Sequence, residues 1–148
     1  MRQKLIGMAA VLGLVGTALA PASPAAAALP TCTRAANMVG ESGLWLWEVP
    51  LTGGKSTNCE LNQGDTGDGV EALQWVLNIC YKRTEVNADG QFGSITANAL
   101  RAAQRTAGTP ADGIFGPNTR KKFKFRSNGG SGPCSPWTLS PWYWYEWD

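Results

Sequence analysis

The chain has 148 residues, 43% of them hydrophobic, with 13 Lys plus Arg against 11 Asp plus Glu, four cysteines and no histidine. Without histidine, a Ser/His/Asp or Cys/His nucleophile is impossible, and a zinc peptidase would lack its usual imidazole ligands. The near balance of charge argues against nucleic acid, whose binders carry a basic surplus on their working face.

At the N-terminus, Arg2 and Lys4 precede an apolar, uncharged run from Leu5 to Ala20, and small residues fill Pro21 to Ala28. A basic start, an apolar middle and an Ala-X-Ala exit predict a secretory signal peptide over residues 1–27, with cleavage after Ala27 or Ala28 fitting equally well. The run falls short of the roughly 20 apolar residues that span a bilayer comfortably. Export leaves about 120 residues, enough for one modest domain, and removing Arg2 and Lys4 brings the basic and acidic counts level.

Cys32, Cys59, Cys80 and Cys134 all lie beyond the leader. In an oxidising compartment two disulfides are expected, each contributing about 2–4 kcal/mol. Four cysteines allow three pairings, and sequence alone does not choose. The expected set is Cys32–Cys59, closing the N-terminal segment on itself, and Cys80–Cys134, fastening the C-terminal segment to the rest. No pair has close Cys-X2–4-Cys spacing, so no metal site is expected.

Residues 28–60 read as an irregular or β-like extension. Leu44 to Val49 suits a strand with Trp45, Trp47 and Val49 on one face, and Thr52 to Lys55 suits a turn. Residues 61–126 are the organised part. After a loop from Gly64 to Gly69, Val70, Leu73, Leu77 and Cys80 recur at helical spacing, with Asp68 lending charge to the helix start. A second helix is predicted from Ser94 to Ala107, stopped by Gly108 and burying Ile95, Ala99, Leu100 and Ala103. A third should start at Pro117 and end near Phe125, because proline at the first helical position wastes no hydrogen bond. Residues 127–148 form a Ser/Gly/Asn linker, to Gly132, and an aromatic tail. In an extended tail Trp142 and Trp144 share one face, with Tyr143 and Tyr145 opposite. Covering a small core is the preferred role for these rings over a platform that stacks on sugars.

One motif occurs twice. Asp89-Gly90-Gln91-Phe92-Gly93-Ser94-Ile95-Thr96 matches Asp112-Gly113-Ile114-Phe115-Gly116-Pro117-Asn118-Thr119 in Asp, Gly, Phe, Gly and Thr. Each copy precedes a predicted helix. Aspartate can hold the turn through backbone N–H groups, the first glycine can take a positive φ, phenylalanine can anchor the loop in the core, the second glycine lets the chain enter the helix, and threonine can bond free groups in its first turn. A weaker repeat lies upstream, where Val70-X-X-Leu73-Gln74 resembles Leu100-X-X-Ala103-Gln104. The polar neighbours Gln91, Asn118 and Arg120 are the candidates for ligand contact, together with Trp142 and Trp144; Asp89, Gly90, Phe92, Gly93, Thr96, Asp112, Gly113, Phe115, Gly116 and Thr119 are assigned to structure.

Val70-Glu71-Ala72-Leu73-Gln74, the two loops, Thr96, Gln104 and Thr119 resemble the type 1 peptidoglycan-binding domain over roughly Leu61 to Phe125. The resemblance implies a mainly α fold: a compact, disulfide-stabilised three-helix module between the β-like extension and the aromatic tail. It implies a secreted, monomeric, non-catalytic binder of peptidoglycan or a related wall glycan or stem peptide, with no cofactor, no nucleic acid and no membrane after export. Two other readings remain: a secreted protein-interaction or inhibitor module, and a small glycosidase drawing on Glu41, Glu48, Glu60 or Glu71. The sequence departs from the family at Ala103, where a large aromatic is common, leaving Trp75 to fill the space, and in the polar stretch Lys82 to Asn87.

Overall fold

The computed structural model describes residues 28–39, 45–127 and 131–137. Residues 1–27, expected to form a leader, lie outside these residues, as do Trp142, Trp144 and most of the aromatic tail. The element order is β1 (Arg34–Val39), β2 (Trp45–Leu51), α1 (Asp68–Tyr81), α2 (Ser94–Ala107), α3 (Pro117–Lys122), β3 (Lys124–Arg126) and β4 (Cys134–Pro136). Three helices are therefore flanked by two antiparallel two-stranded sheets, β1–β2 and β3–β4. Among the described residues no helix is long and apolar enough to cross a membrane.

Helix α1 is the hub, packing against β1, β2, α2 and β3. Its stripe of Val70, Leu73 and Leu77 is fully buried, as the 3.6-residue period requires. Helix α2 buries Ala99, Leu100 and Ala103, but Ile95 is 58% exposed. Ile95 sits in the first turn, beside the loop and beyond the edge of the core, while Thr96 and Ala97 take the inward positions. Trp75 does not fill the space beside Ala103, because it is 40% exposed on α1. Aromatic volume comes instead from a chain of ring contacts: Tyr81 to Phe123 at 4.5 Å, Phe123 to Phe115 at 5.6 Å, Phe115 to Phe125 at 6.4 Å and Phe125 to Trp137 at 5.2 Å.

The third helix ends earlier than its sequence suggests. Phe123 and Phe125 are buried while Lys124 is exposed, the alternation of an extended chain. β3 therefore begins at Lys124, its N–H donating to Tyr81 Oη at 2.9 Å, and pairs with β4 so that Arg126 lies opposite Cys134. The linker between them is tied at its described ends: Ser127 Oγ donates to Pro133 O at 2.8 Å and Gly132 N–H to Ser127 O at 2.9 Å.

The extension is a β hairpin with a register shift between Ala36 and Met38. Opposite that shift Glu48 adopts φ 50°. Strict alternation would place Leu46 and Val49 on opposite faces, yet both are buried, because the bulge turns the strand between them. The polar stretch after α1 also contributes to the core: Val86 is 3% exposed, and its carbonyl accepts from Asn78 Nδ2 at 2.8 Å. Disulfides join Cys32 to Cys59 and Cys80 to Cys134. The first closes the extension, and the second ties α1 to β4.

Candidate functional site

The two repeated loops are held by the same device. In the first, Gln74 Nε2 on α1 donates to Asp89 Oδ1 at 2.9 Å, Gln91 O at 2.9 Å and Thr96 Oγ1 at 3.2 Å, and its Oε1 accepts from Gly90 N–H at 2.8 Å. In the second, Gln104 Nε2 on α2 donates to Asp112 Oδ1 at 2.7 Å, Ile114 O at 3.0 Å and Thr119 Oγ1 at 3.0 Å, and its Oε1 accepts from Gly113 N–H at 2.9 Å. Each helix thereby grips the loop that launches the next helix. Both glutamines are at most 1% exposed, so every polar atom they bury needs such a partner.

The aspartates close the turns, Asp89 Oδ1 accepting from Gln91 N–H and Asp112 Oδ1 from Ile114 N–H, each at 2.9 Å. The Gln91 N–H, with Gln74 second, holds the Asp89 carboxyl below the ordinary aspartate range, because both bonds favour the charged form. Gly90 and Gly113 have φ values of 70° and 80°, a conformation costly for any residue with a Cβ. Gly93 and Gly116 stand at the N-caps of α2 and α3, and Phe92 and Phe115 are buried.

What the loops leave on the surface is a short list. Gln91 is exposed and lines an open groove of about 220 Å³ together with Glu85, Asn87, Ser94 and Ile95. Its floor is the Gln74–Asp89–Thr96 network. The groove thus offers one large apolar side chain, Ile95, among amide, hydroxyl and carboxylate groups. Asn118 is exposed at the position of the second loop that corresponds to Ile95, and Ile114, 38% exposed, corresponds to Gln91. The second loop therefore presents the same polar and apolar pair in exchanged places.

Arg120 does not join this surface. It is 2% exposed; its guanidinium donates to Thr57 O and, at 3.3 Å, to Pro50 O. It also lies 3.4 Å and 3.6 Å from the sulfurs of Cys32 and Cys59. Burial pushes its pKa down to about 10. Its side chain fastens the extension to α3. Ile95 departs from expectation: helical spacing predicts burial, and its first-turn position exposes it.

A second open groove, of about 320 Å³, lies between the hairpin and α1 and includes Asn37, Glu48, Asp68 and Glu71. Burial, and then the neighbouring Glu71, raise the Glu48 carboxyl above the ordinary range.

Comparison with known proteins places these features. The sequence profile of the peptidoglycan binding domain matches residues 66–123. A probable N-acetylmuramoyl-L-alanine amidase of Bacillus licheniformis is 34% identical over 85 residues, 57% of this chain and 24% of that protein. An uncharacterized protein from the bpoA1 3' region of Kitasatospora aureofaciens is 41% identical over 86 residues, 56% of this chain and 71% of that protein. The zinc D-Ala-D-Ala carboxypeptidase of Streptomyces albus G is 33% identical over 109 residues, 72% of this chain and 38% of that protein. The chain thus spans well under half the length of both enzymes. By its two gripped loops and by these matches, the chain belongs to the peptidoglycan binding domain family.

Proposed function

We propose that this protein is a secreted, monomeric module that binds peptidoglycan without cleaving it. The observation that supports this reading is the groove of Gln91, Ser94 and Ile95 beside the first loop, within the region matched by the family. An exposed isoleucine among hydrogen-bonding groups suits a wall segment that is itself part apolar and part polar. A glycan or a stem peptide docks there non-covalently, with Gln91 and Asn118 supplying polar contacts from the two loops. The 1–27 leader, the extension to residue 60 and the tail from 127 frame this module in the proposed organisation.

The test is co-sedimentation of the exported protein with insoluble peptidoglycan, with sugars assayed in the supernatant. Retention without release is expected. Ile95→Asp should weaken retention about tenfold and leave the urea midpoint unchanged, because the side chain is exposed. Absence of retention by the unmodified protein overturns the reading. Sugar release that disappears in Glu48→Gln overturns its non-catalytic part.

A further inference from the structure

We infer that the groove between the N-terminal extension, α3 and β4 is a second binding site, and that it takes a sugar ring bearing a carboxylate. This groove holds about 260 Å³ and is lined by Thr57, Asn58, Pro117, Arg120, Lys121 and Trp137. Its volume lies below the usual range for drug-sized ligands and suits a single ring.

The charge at its wall is unusual. Arg120 is 2% exposed, and its Nε has no hydrogen-bond partner among the described residues. The bonds that its other nitrogens make go to neutral groups: the carbonyls of Thr57 and Pro50 and the disulfide sulfurs. A buried cation normally comes with a carboxylate, because desolvating an unpaired charge is costly. Among the described residues no carboxylate lines this groove. Lys121, exposed on the next position of α3, adds a second positive charge. Two cations and no anion make a local field that draws a negative ligand.

The ring preference comes from Trp137. Its indole is half-buried, packed against Phe125 with centroids 5.2 Å apart, and the Arg120 Cζ lies 6.0 Å from its ring centroid. Its backbone N–H is fixed to Phe123 O at 3.0 Å. The part of this half-buried indole that lines the groove supplies apolar surface for the C–H groups of a sugar. Asn58 supplies both a donor and an acceptor for hydroxyls. Thr57, Asn58 and Trp137 all lie outside the region 66–123 matched by the family. The site is therefore made by the flanking segments acting with α3, and it does not depend on where the wall meets the loops.

The test is an NMR titration of the exported protein with two monosaccharides. N-acetylmuramic acid carries a free carboxylate on its lactyl ether, and N-acetylglucosamine is the same ring without that ether. N-acetylmuramic acid should shift the Trp137 indole and the Asn58 and Lys121 amides; N-acetylglucosamine should not. Lys121→Glu should weaken the binding about tenfold with an unchanged urea midpoint. Equal shifts with both sugars, shifts confined to Gln91–Thr96, or undiminished binding by Lys121→Glu would each overturn the proposal. Sedimentation with peptidoglycan, run on the same variant, separates this site from the loop groove: Lys121→Glu should still be retained.

Discussion

Two glutamines decide whether the loops hold. Gln74 and Gln104 each share the two hydrogens of their amide NH2 among three acceptors and accept one backbone N–H at the amide oxygen. Replacing either by alanine strands a buried glycine N–H and a buried threonine hydroxyl, Gly90 and Thr96 or Gly113 and Thr119, while the exposed aspartate can turn to water. Gln104→Ala should cost about 2–4 kcal/mol, and Gln74→Ala about the same, read from urea denaturation. A loss below 1 kcal/mol would show that the loops hold without the grip, since roughly that much belongs to one ordinary hydrogen bond. The sequence carries the trace of this device, since Gln74 and Gln104 recur before each loop, yet nothing in it says that they point at the loop. Arg120 was harder to read because a cation is normally a surface residue. Extending the loop repeat by one residue past Thr96 and Thr119 sets Arg120 against Ala97, which is buried at 1% exposure; the position is inward in both copies.

The helices differ in how they stop. α2 ends at Gly108 with φ 69°, whereas α1 ends at Lys82 with φ 56°. A left-handed cap suits glycine and strains a residue with a side chain. Lys82→Gly should therefore raise stability by about 0.5–1 kcal/mol and Gly108→Ala should lower it by about 1 kcal/mol, opposite shifts of the thermal midpoint from the same geometry. The long helices were legible because their apolar period runs over several turns and glycine marks the end of one. α3 was legible at its start, through Pro117, and misread at its end. Phe123 and Phe125 fit a helix or a strand over so short a window, and only pairing with β4 decides between them.

At the scale of the molecule, backbone bonds close the extension on itself, while the Arg120 side chain, buried hairpin side chains and one tight backbone approach to α1 seat it on the helices. Cys32 N–H donates to Glu60 O at 3.0 Å, and Glu60 N–H to Pro30 O at 2.9 Å. A Cβ added at Gly69, in the first turn of α1, would stand 2.1 Å from Cys32 O. Gly69→Ala should therefore push the extension off the helix and cost about 2–4 kcal/mol, with faster reduction of Cys32–Cys59 as the accompanying readout. Unchanged reduction kinetics would mean that the extension moves without opening. The approach of Gly69 to Cys32 was not visible in the sequence, since it joins positions far apart through backbone atoms that every residue has.

The segment from Leu61 to Gly67 touches both loops. Leu61 and Phe115 exchange N–H and carbonyl bonds at 2.9 and 3.1 Å; Gly64 N–H donates to Phe92 O, and Gly67 N–H to Gly90 O, each at 2.9 Å. One short strip of chain is thus stitched to both copies of the motif. The loops share a common splint, so neither can swing without disturbing the other. Their relative placement is settled on folding, and a polymer that reaches across both meets a surface whose ordering entropy has already been spent.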